Sequence, residues 1–275
     1  MKKTVCLWLA ILLLSCACAV TAEETTKEIF ERGIALYEAG DYTAAAELFR
    51  QAEERGSAEA QYNLGICYSF GRGVPQNDEE AVKWWRLAAE RGVPEAQYNL
   101  GSCYDRGVGV EQDRVEAACW FIKAAQKGIP EAQYNLGNFY YFGVVGEKDE
   151  KEAVRWYRLA AEQGFPEAQY NMALCYDYGY GRQADPAEAV KWYRLAAEQG
   201  HVYAQYNLGI CYAEGSGVKK NYKEANKWWR LAAEQGDADA MHNLGLSYEY
   251  GLGVKKNKKE ANKWYALSEQ TANGN

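Results

Sequence analysis

Residues 60–92 read AQYNLGICYSFGRGVPQNDEEAVKWWRLAAERG, and most of the chain consists of variations on this stretch. AQYNLG returns at 96–101, 132–137 and 204–209, AQYNMA stands at 168–173, and AMHNLG at 240–245. The asparagines Asn63, Asn99, Asn135, Asn171, Asn207 and Asn243 follow one another at intervals of 36 residues. A period held that long without insertion defines one structural unit used repeatedly.

Two segments of the unit carry helical patterns. In the first, Ala60, Leu64, Cys67 and Tyr68 recur at three- and four-residue spacing, and in the second Ala81, Trp84, Trp85, Ala88 and Ala89 do the same. Gly71 and Gly73 can take the positive φ that stops the first helix and turns the chain, and Gly92 does so after the second. Asp78, Glu79 and Glu80 lead the second helix, where the helix dipole favours negative charge. Neither helix can bury its stripe alone, so the expected fold is all-α: an α/α superhelical solenoid of about seven stacked helix pairs with one continuous core. The units run over 57–92, 93–128, 129–164, 165–200, 201–236 and 237–270. A seventh, over 27–56, has a turn four residues shorter.

Composition agrees with a globular chain: of 275 residues, 48% are hydrophobic and 25% charged. Lys plus Arg number 31 against 38 Asp plus Glu, so no basic face for nucleic acid is expected. Charge is uneven, with 19 basic and 30 acidic side chains over residues 23–213 but 10 basic and 7 acidic over 214–263. The final turns, with Lys219, Lys220, Lys255, Lys256, Lys258 and Lys259, are either solvated loops or a site for an acidic partner or phospholipid surface.

Lys2 and Lys3 precede an apolar run over residues 5–14, followed by small residues to Ala22, which is the pattern of a secretory signal over 1–22. Two cleavage readings stand side by side. Val20-Thr21-Ala22 has the small-x-small form, and Leu13-Leu14-Ser15-Cys16 has that of a lipobox, which would make Cys16 a lipidation site. The apolar run is too short to span a bilayer, and no other segment is apolar enough to do so, so no transmembrane segment is expected.

The repeated residues resemble the Sel1-like repeats, relatives of tetratricopeptide repeats with a longer Gly-x-Gly turn. The resemblance covers about residues 27–270 and points to a bacterial, exported type, while the unit at 27–56 looks like a plain tetratricopeptide repeat. It implies a scaffold for protein or peptide ligands, with the first helices lining a concave groove. Tyr62, Tyr98, Tyr134, Tyr170, Tyr206 and His242 would face that groove. Asn63 and its five equivalents match an Asn that in such repeats bonds a bound peptide's backbone; the alternative is that they tie one repeat to the next. On the same mapping the variable groove positions include Asn138, Leu174 and Ile210, then Asp105, Tyr141 and Asp177, then Phe70, Arg106, Phe142, Tyr178, Glu214 and Tyr250. Their mixture of aromatic and acidic groups suits a ligand with apolar and basic side chains.

The tryptophans at 84, 85, 120, 156, 192, 228, 229 and 264 all fall in second helices. One reading is a stacking platform; the stronger is that Trp85, Phe121 and Tyr157 are buried anchors with the neighbouring Trp against the next repeat. Cys67, Cys103, Cys175 and Cys211 share one repeat position and read as core filler, since neighbouring helices stand about 8–10 Å apart, beyond disulfide reach. Whether Cys119 pairs with Cys103 is left open.

With only His201 and His242, no metal site or Ser-His pairing is expected, nor any cofactor. The Gly-x-Gly turns follow helices and lack the Lys of a phosphate loop. The expectation is therefore a non-catalytic exported scaffold in envelope signalling, complex assembly or host contact. The alternative is a hydrolase of the β-lactamase-like type described for some cysteine-rich relatives. A chain ending soon after Tyr265 and Leu267 without a polar capping helix would also expose apolar surface for self-association.

Overall fold

The structure is a computed structural model that describes residues 24–274; the leader, with Cys16 and both cleavage readings, lies outside the described residues. Fourteen helices and no strands occur among them. They are α1 (Thr26–Glu38), α2 (Tyr42–Glu54), α3 (Ala58–Phe70), α4 (Asp78–Glu90), α5 (Pro94–Arg106), α6 (Arg114–Gln126), α7 (Pro130–Phe142) and α8 (Glu150–Glu162), followed by α9 (Pro166–Tyr178), α10 (Pro186–Glu198), α11 (Val202–Glu214), α12 (Tyr222–Glu234), α13 (Ala238–Tyr250) and α14 (Lys258–Gly274). Each odd-numbered helix packs on the even-numbered helix after it, giving seven pairs. Three residues link α1 to α2, whereas seven link α3 to α4.

Local chemistry sets these boundaries. The second helices start at a side-chain cap: Asp113, Asp149, Asp185 and Asn221 each accept the backbone N–H groups two and three residues on, which satisfies donors that the helix leaves free. Pro130 and Pro166 open α7 and α9, at the position where a missing N–H costs nothing. The first helices stop at glycines in the left-handed region, such as Gly143 at φ 63° and Gly215 at φ 82°, a conformation that only glycine adopts without strain.

The chain forms two compact units, one up to Val93 and one from Pro94. In the first, Ile29, Phe49, Leu64 and Cys67 form a buried core, with Ala45, Ala52 and Ala60 between the helices. In the second, alanines such as Ala153, Ala160, Ala168, Ala196 and Ala204 are fully buried, and their small side chains let the helices approach closely. Leu100, Leu136, Met172, Leu208 and Leu244 are at most 2% exposed, and each such burial contributes about 1.5–3 kcal/mol.

Aromatic groups of the second helices fill the space left by glycine on the first. Trp85, Phe121, Tyr157, Tyr193 and Trp229 are buried. A Cβ added at Gly137 would lie 2.6 Å from the Tyr157 ring, and one at Gly209 would fall on the Trp229 indole. At the equivalent place in the fourth long repeat the chain has Ala173 against Tyr193. No tryptophan among the described residues is exposed: Trp120 and Trp228 are buried and Trp84, Trp156, Trp192 and Trp264 half-buried. A stacking platform of exposed indoles is therefore absent from this surface.

Inside the second unit a buried glutamine connects three helices at a time. Gln133 on α7 donates to the carbonyl of Ala125 on α6 at 3.1 Å and accepts from Gln163 at the end of α8 at 2.8 Å. Gln205 repeats this with Ala197 and Gln235, at 3.1 and 2.8 Å. Turn glycines make a further link between pairs, since a Cβ on Gly181 would fall on the Glu150 carbonyl and one on Gly217 on that of Pro186.

The last helix differs from expectation. α14 runs 17 residues and turns Ala261, Trp264, Tyr265 and Leu267 inward, while Asn262, Lys263, Ala266, Glu269 and Gln270 are exposed. The residues it exposes are mostly polar, while Trp264, Tyr265 and Leu267 are half-buried. The extra turn of helix carries Ser268 and Thr271 back onto α13.

Candidate functional site

The odd-numbered helices carry the residues that the repeat pattern marks as ligand-facing. In the second unit three tyrosines of the repeated element lean on the aromatic side chain of their own second helix. Ring centroids lie 6.0 Å apart for Tyr98 and Phe121, 6.1 Å for Tyr134 and Tyr157, and 6.0 Å for Tyr170 and Tyr193. Tyr170 also stacks on His201 at 4.6 Å, and His242 lies 5.2 Å from the Tyr265 ring. These tyrosines are half-buried and His242 is exposed. The Tyr206 carbonyl accepts from Trp229 Nε1 at 3.2 Å. In the first unit the Tyr62 carbonyl accepts from Trp85 Nε1 in the same way.

Burial raises the hydroxyl pKa values of Tyr170 and Tyr206 above the ordinary 10.0, and those of Tyr141 and Tyr178 as well. All four remain protonated donors at neutral pH, able to bond a backbone carbonyl. Tyr157 and Tyr193, packed beneath them, are raised further by burial.

The asparagines behave differently along the chain. Asn63 Nδ2 donates within its own helix to the Glu59 carbonyl at 2.9 Å. Asn171 reaches back to Asn138 Oδ1 at 3.4 Å, and Asn207 to the Tyr193 hydroxyl at 3.4 Å. Asn243 stands beside the Tyr206 hydroxyl. Asn99 and Asn135 are half-buried. The contact between repeats is thus present at Asn171 and Asn207.

Arg106 is exposed at the end of α5, Tyr141 is half-buried, and Tyr178 is 64% exposed. Phe142 and Tyr250, at the same repeat position as Arg106 and Tyr178, are 70% and 63% exposed. Sequence reasoning missed two features here. One is Tyr180, in the middle of a Gly-x-Gly turn, which comes to 5.7 Å from the Tyr141 ring; an aromatic at that turn position was its only signal. The other is the glutamine of the repeated AQYN element, which holds the helices that carry the row.

No disulfide joins Cys67, Cys103, Cys119, Cys175 or Cys211, of which Cys119 alone is exposed, so the open Cys103–Cys119 pairing is not made. Among the described residues no group of three or more His, Cys, Asp or Glu is arranged to hold a metal ion. No helix there is long and apolar enough to cross a membrane.

Paired helices repeating at 36 residues define a helical-repeat protein. The Sel1 repeat profile matches residues 28–57, 58–93, 94–129, 130–165, 166–201, 202–237 and 238–268. The chain belongs to the Sel1 repeat family, whose members are generally non-catalytic scaffolds for protein–protein interaction. The match includes the first pair, which differs from the others by its short link. A protective antigen present in uropathogenic Escherichia coli strains, described as displaying an SLR fold, is 35% identical with a TM-score of 0.86 over 91% of this chain and 54% of that one. A Sel1 repeat protein from Oxalobacter formigenes is 36% identical with a TM-score of 0.77, covering 87% of this chain and 96% of its own. DAP3-binding cell death enhancer 1 of Rattus norvegicus is 51% identical over 43 residues, 16% of this chain and 8% of that protein. The chain therefore spans about half of the Escherichia coli antigen and a small part of the rat protein.

Proposed function

We propose that the chain is an exported bacterial scaffold that binds an extended segment of another protein along the odd-numbered helices of the second unit. The observation that carries this reading is the row of Tyr98, Tyr134 and Tyr170. Each ring is fixed against a second-helix aromatic, at 6.0, 6.1 and 6.0 Å, while the residue itself stays half-exposed. A fixed ring offers apolar contact at little cost in side-chain entropy, and its hydroxyl pairs with backbone groups whatever the ligand's sequence. Export rests on Lys2, Lys3 and the apolar run after them, with the periplasm, outer-membrane attachment through Cys16, or secretion as destinations. Envelope signalling, complex assembly and host contact all suit such a scaffold, and the likeness to an antigen of a pathogenic bacterium adds weight to the last.

The test is crosslinking in the native cell envelope, comparing the parent chain with Tyr98→Ala/Tyr134→Ala/Tyr170→Ala. The expected result is a partner captured by the parent and lost by the variant at unchanged helicity. A Tyr→Phe version of the same triple separates the rings from the hydroxyls. Identical capture by all three would overturn the groove as the binding surface.

A further inference from the structure

Two openings on the odd-numbered helices of the second unit occupy the same place one repeat apart. The first, of about 140 Å³, is walled by Tyr141, Phe142, Leu174 and Tyr180 over a floor of Tyr157 and Cys175. The second, of about 290 Å³, uses the positions 36 residues on, where Asp177, Tyr178 and Ile210 face Cys211, Glu214 and Ser216. The repeat reproduces the shape while the variable positions change its chemistry.

The first opening is apolar in effect. Part of its polar lining is already bonded within the wall: the Tyr157 hydroxyl donates to Asn138 Oδ1 at 2.7 Å, and Asn171 donates to the same oxygen. The buried Cys175 thiol, pushed up to about 12, carries no charge at neutral pH. An apolar cavity of roughly 150 Å³ in another protein accepts benzene, so this opening has room for one bulky apolar side chain.

The second opening carries negative charge without compensation. Asp177 Oδ2 accepts the Tyr193 hydroxyl at 3.1 Å, which leaves its other oxygen free. Among the described residues neither Asp177 nor Glu214 is held in an ion pair. Two of the basic groups nearby in sequence are turned to other partners: Arg182 lies 3.3 Å over the Tyr176 ring and Lys220 4.9 Å over that of Tyr222. Tyr178, 64% exposed, adds a ring face that attracts cations. An anionic ligand meets repulsion here, and a cationic side chain meets two carboxylates that no salt bridge neutralises.

We infer that the two openings form one composite site for an extended peptide, taking a bulky apolar side chain into the Tyr141–Leu174 opening and a Lys or Arg into the Asp177–Glu214 opening. This rests on the groove reading above. Packed helices stand about 8–10 Å apart or somewhat more across a repeat, and an extended chain advances about 3.3 Å per residue. The two side chains are therefore two to four residues apart in the ligand.

Random dodecapeptides displayed on phage and selected on the intact protein test this directly. Enriched peptides should pair a bulky apolar residue with Lys or Arg at that separation. Replacing the basic residue of a selected peptide by Glu should weaken binding at least tenfold. Asp177→Lys/Glu214→Lys should reverse that order, and the milder Asp177→Asn/Glu214→Gln should abolish the preference while keeping helicity and apolar selection. Peptides whose binding is lost with Leu174→Asp but which show no basic preference would overturn the composite site and leave the groove standing. If no selected peptide responds to Leu174→Asp or to the triple tyrosine variant, both readings fall.

Discussion

The side-chain amide of Gln199 donates to Oε1 of Gln169 at 2.7 Å, and Gln169 in turn donates to the carbonyl of Ala161 at 3.2 Å. Three helices, α8, α9 and α10, meet at that one buried side chain. A buried polar group with all its partners holds position, whereas one stripped of a partner costs its full desolvation. Gln169→Leu leaves both the Ala161 carbonyl and the Gln199 amide without their bond. The expected loss is about 1–3 kcal/mol, read as a lower urea midpoint at unchanged slope.

The clamp is incomplete at Gln61 in the first unit. Gln61 Nε2 donates to Glu53 at 3.3 Å, but its buried Oε1 has no partner, because Arg91 stands where α8, α10 and α12 are followed by Gln163, Gln199 and Gln235. Arg91→Gln supplies the donor, with an expected gain of about 0.5–1.5 kcal/mol in thermal or chemical unfolding of the first unit. An unchanged or lowered stability would contradict this account of the clamp.

Gly209 and Gly137 are predicted to respond unequally to alanine. Gly209→Ala drives a methyl group into the Trp229 indole, and such overpacking costs about 1–3 kcal/mol. Gly137→Ala meets the smaller Tyr157, and the chain already tolerates Ala173 against Tyr193 in the next repeat, so its cost should be lower. Denaturation midpoints of the two variants, measured side by side, check the order.

His201 caps α11 through Nδ1, which accepts the Ala204 N–H at 3.2 Å. Burial against Tyr170 lowers its pKa below the ordinary 6.5, with Glu167 opposing the shift. A neutral imidazole is therefore favoured in the folded chain. Its contribution is complete above about pH 6.5, declines as pH falls from there through the folded-state pKa, and levels off below it. His201→Asn keeps a cap acceptor that does not titrate, so it should flatten stability over that window, while His201→Ala should cost about 0.5–2 kcal/mol at neutral pH.

Among the five cysteines beyond the leader, only Cys119 should react quickly with a thiol reagent at pH 8. Cys67 is held at about 11 and Cys175 and Cys211 at about 12 by burial, so their modification should follow unfolding. Cys119→Ser should remove the fast phase without lowering stability. Fast reaction of a second thiol in that variant would contradict the packing described.

The 36-residue period, the helix pairs and the turns were legible because each rests on local chemistry: alanine and leucine spacing, Asp and Asn caps, glycines at positive φ. The candidate groove was legible as a set of positions, since Asn138, Leu174, Asp177 and Glu214 vary where the rest of the unit is constant. What the pattern concealed lies between repeats. Gln133, Gln169 and Gln205 read as polar residues of an amphipathic helix, and only the neighbouring second helices show them to be buried. Tyr180 gave no periodic signal because the residue between the turn glycines differs from repeat to repeat. The polar face of α14 was missed because Trp264, Tyr265 and Leu267 dominate its sequence while Asn262, Lys263 and Glu269 cover its outer side.

The missing Cβ atoms of Gly181 and Gly217 have an evolutionary consequence. Each of these two turns fits against the opening residue of the preceding pair's second helix, so that pair's docking surface is completed by its successor. Recombination that adds or removes 36 residues restores this fit at the new junction, while an insertion of another length within the unit takes the glycine out of register with that carbonyl. Such a gene can therefore lengthen or shorten its ligand-reading surface in whole steps, and the succession of apolar and acidic openings along it can be reordered without redesigning the scaffold.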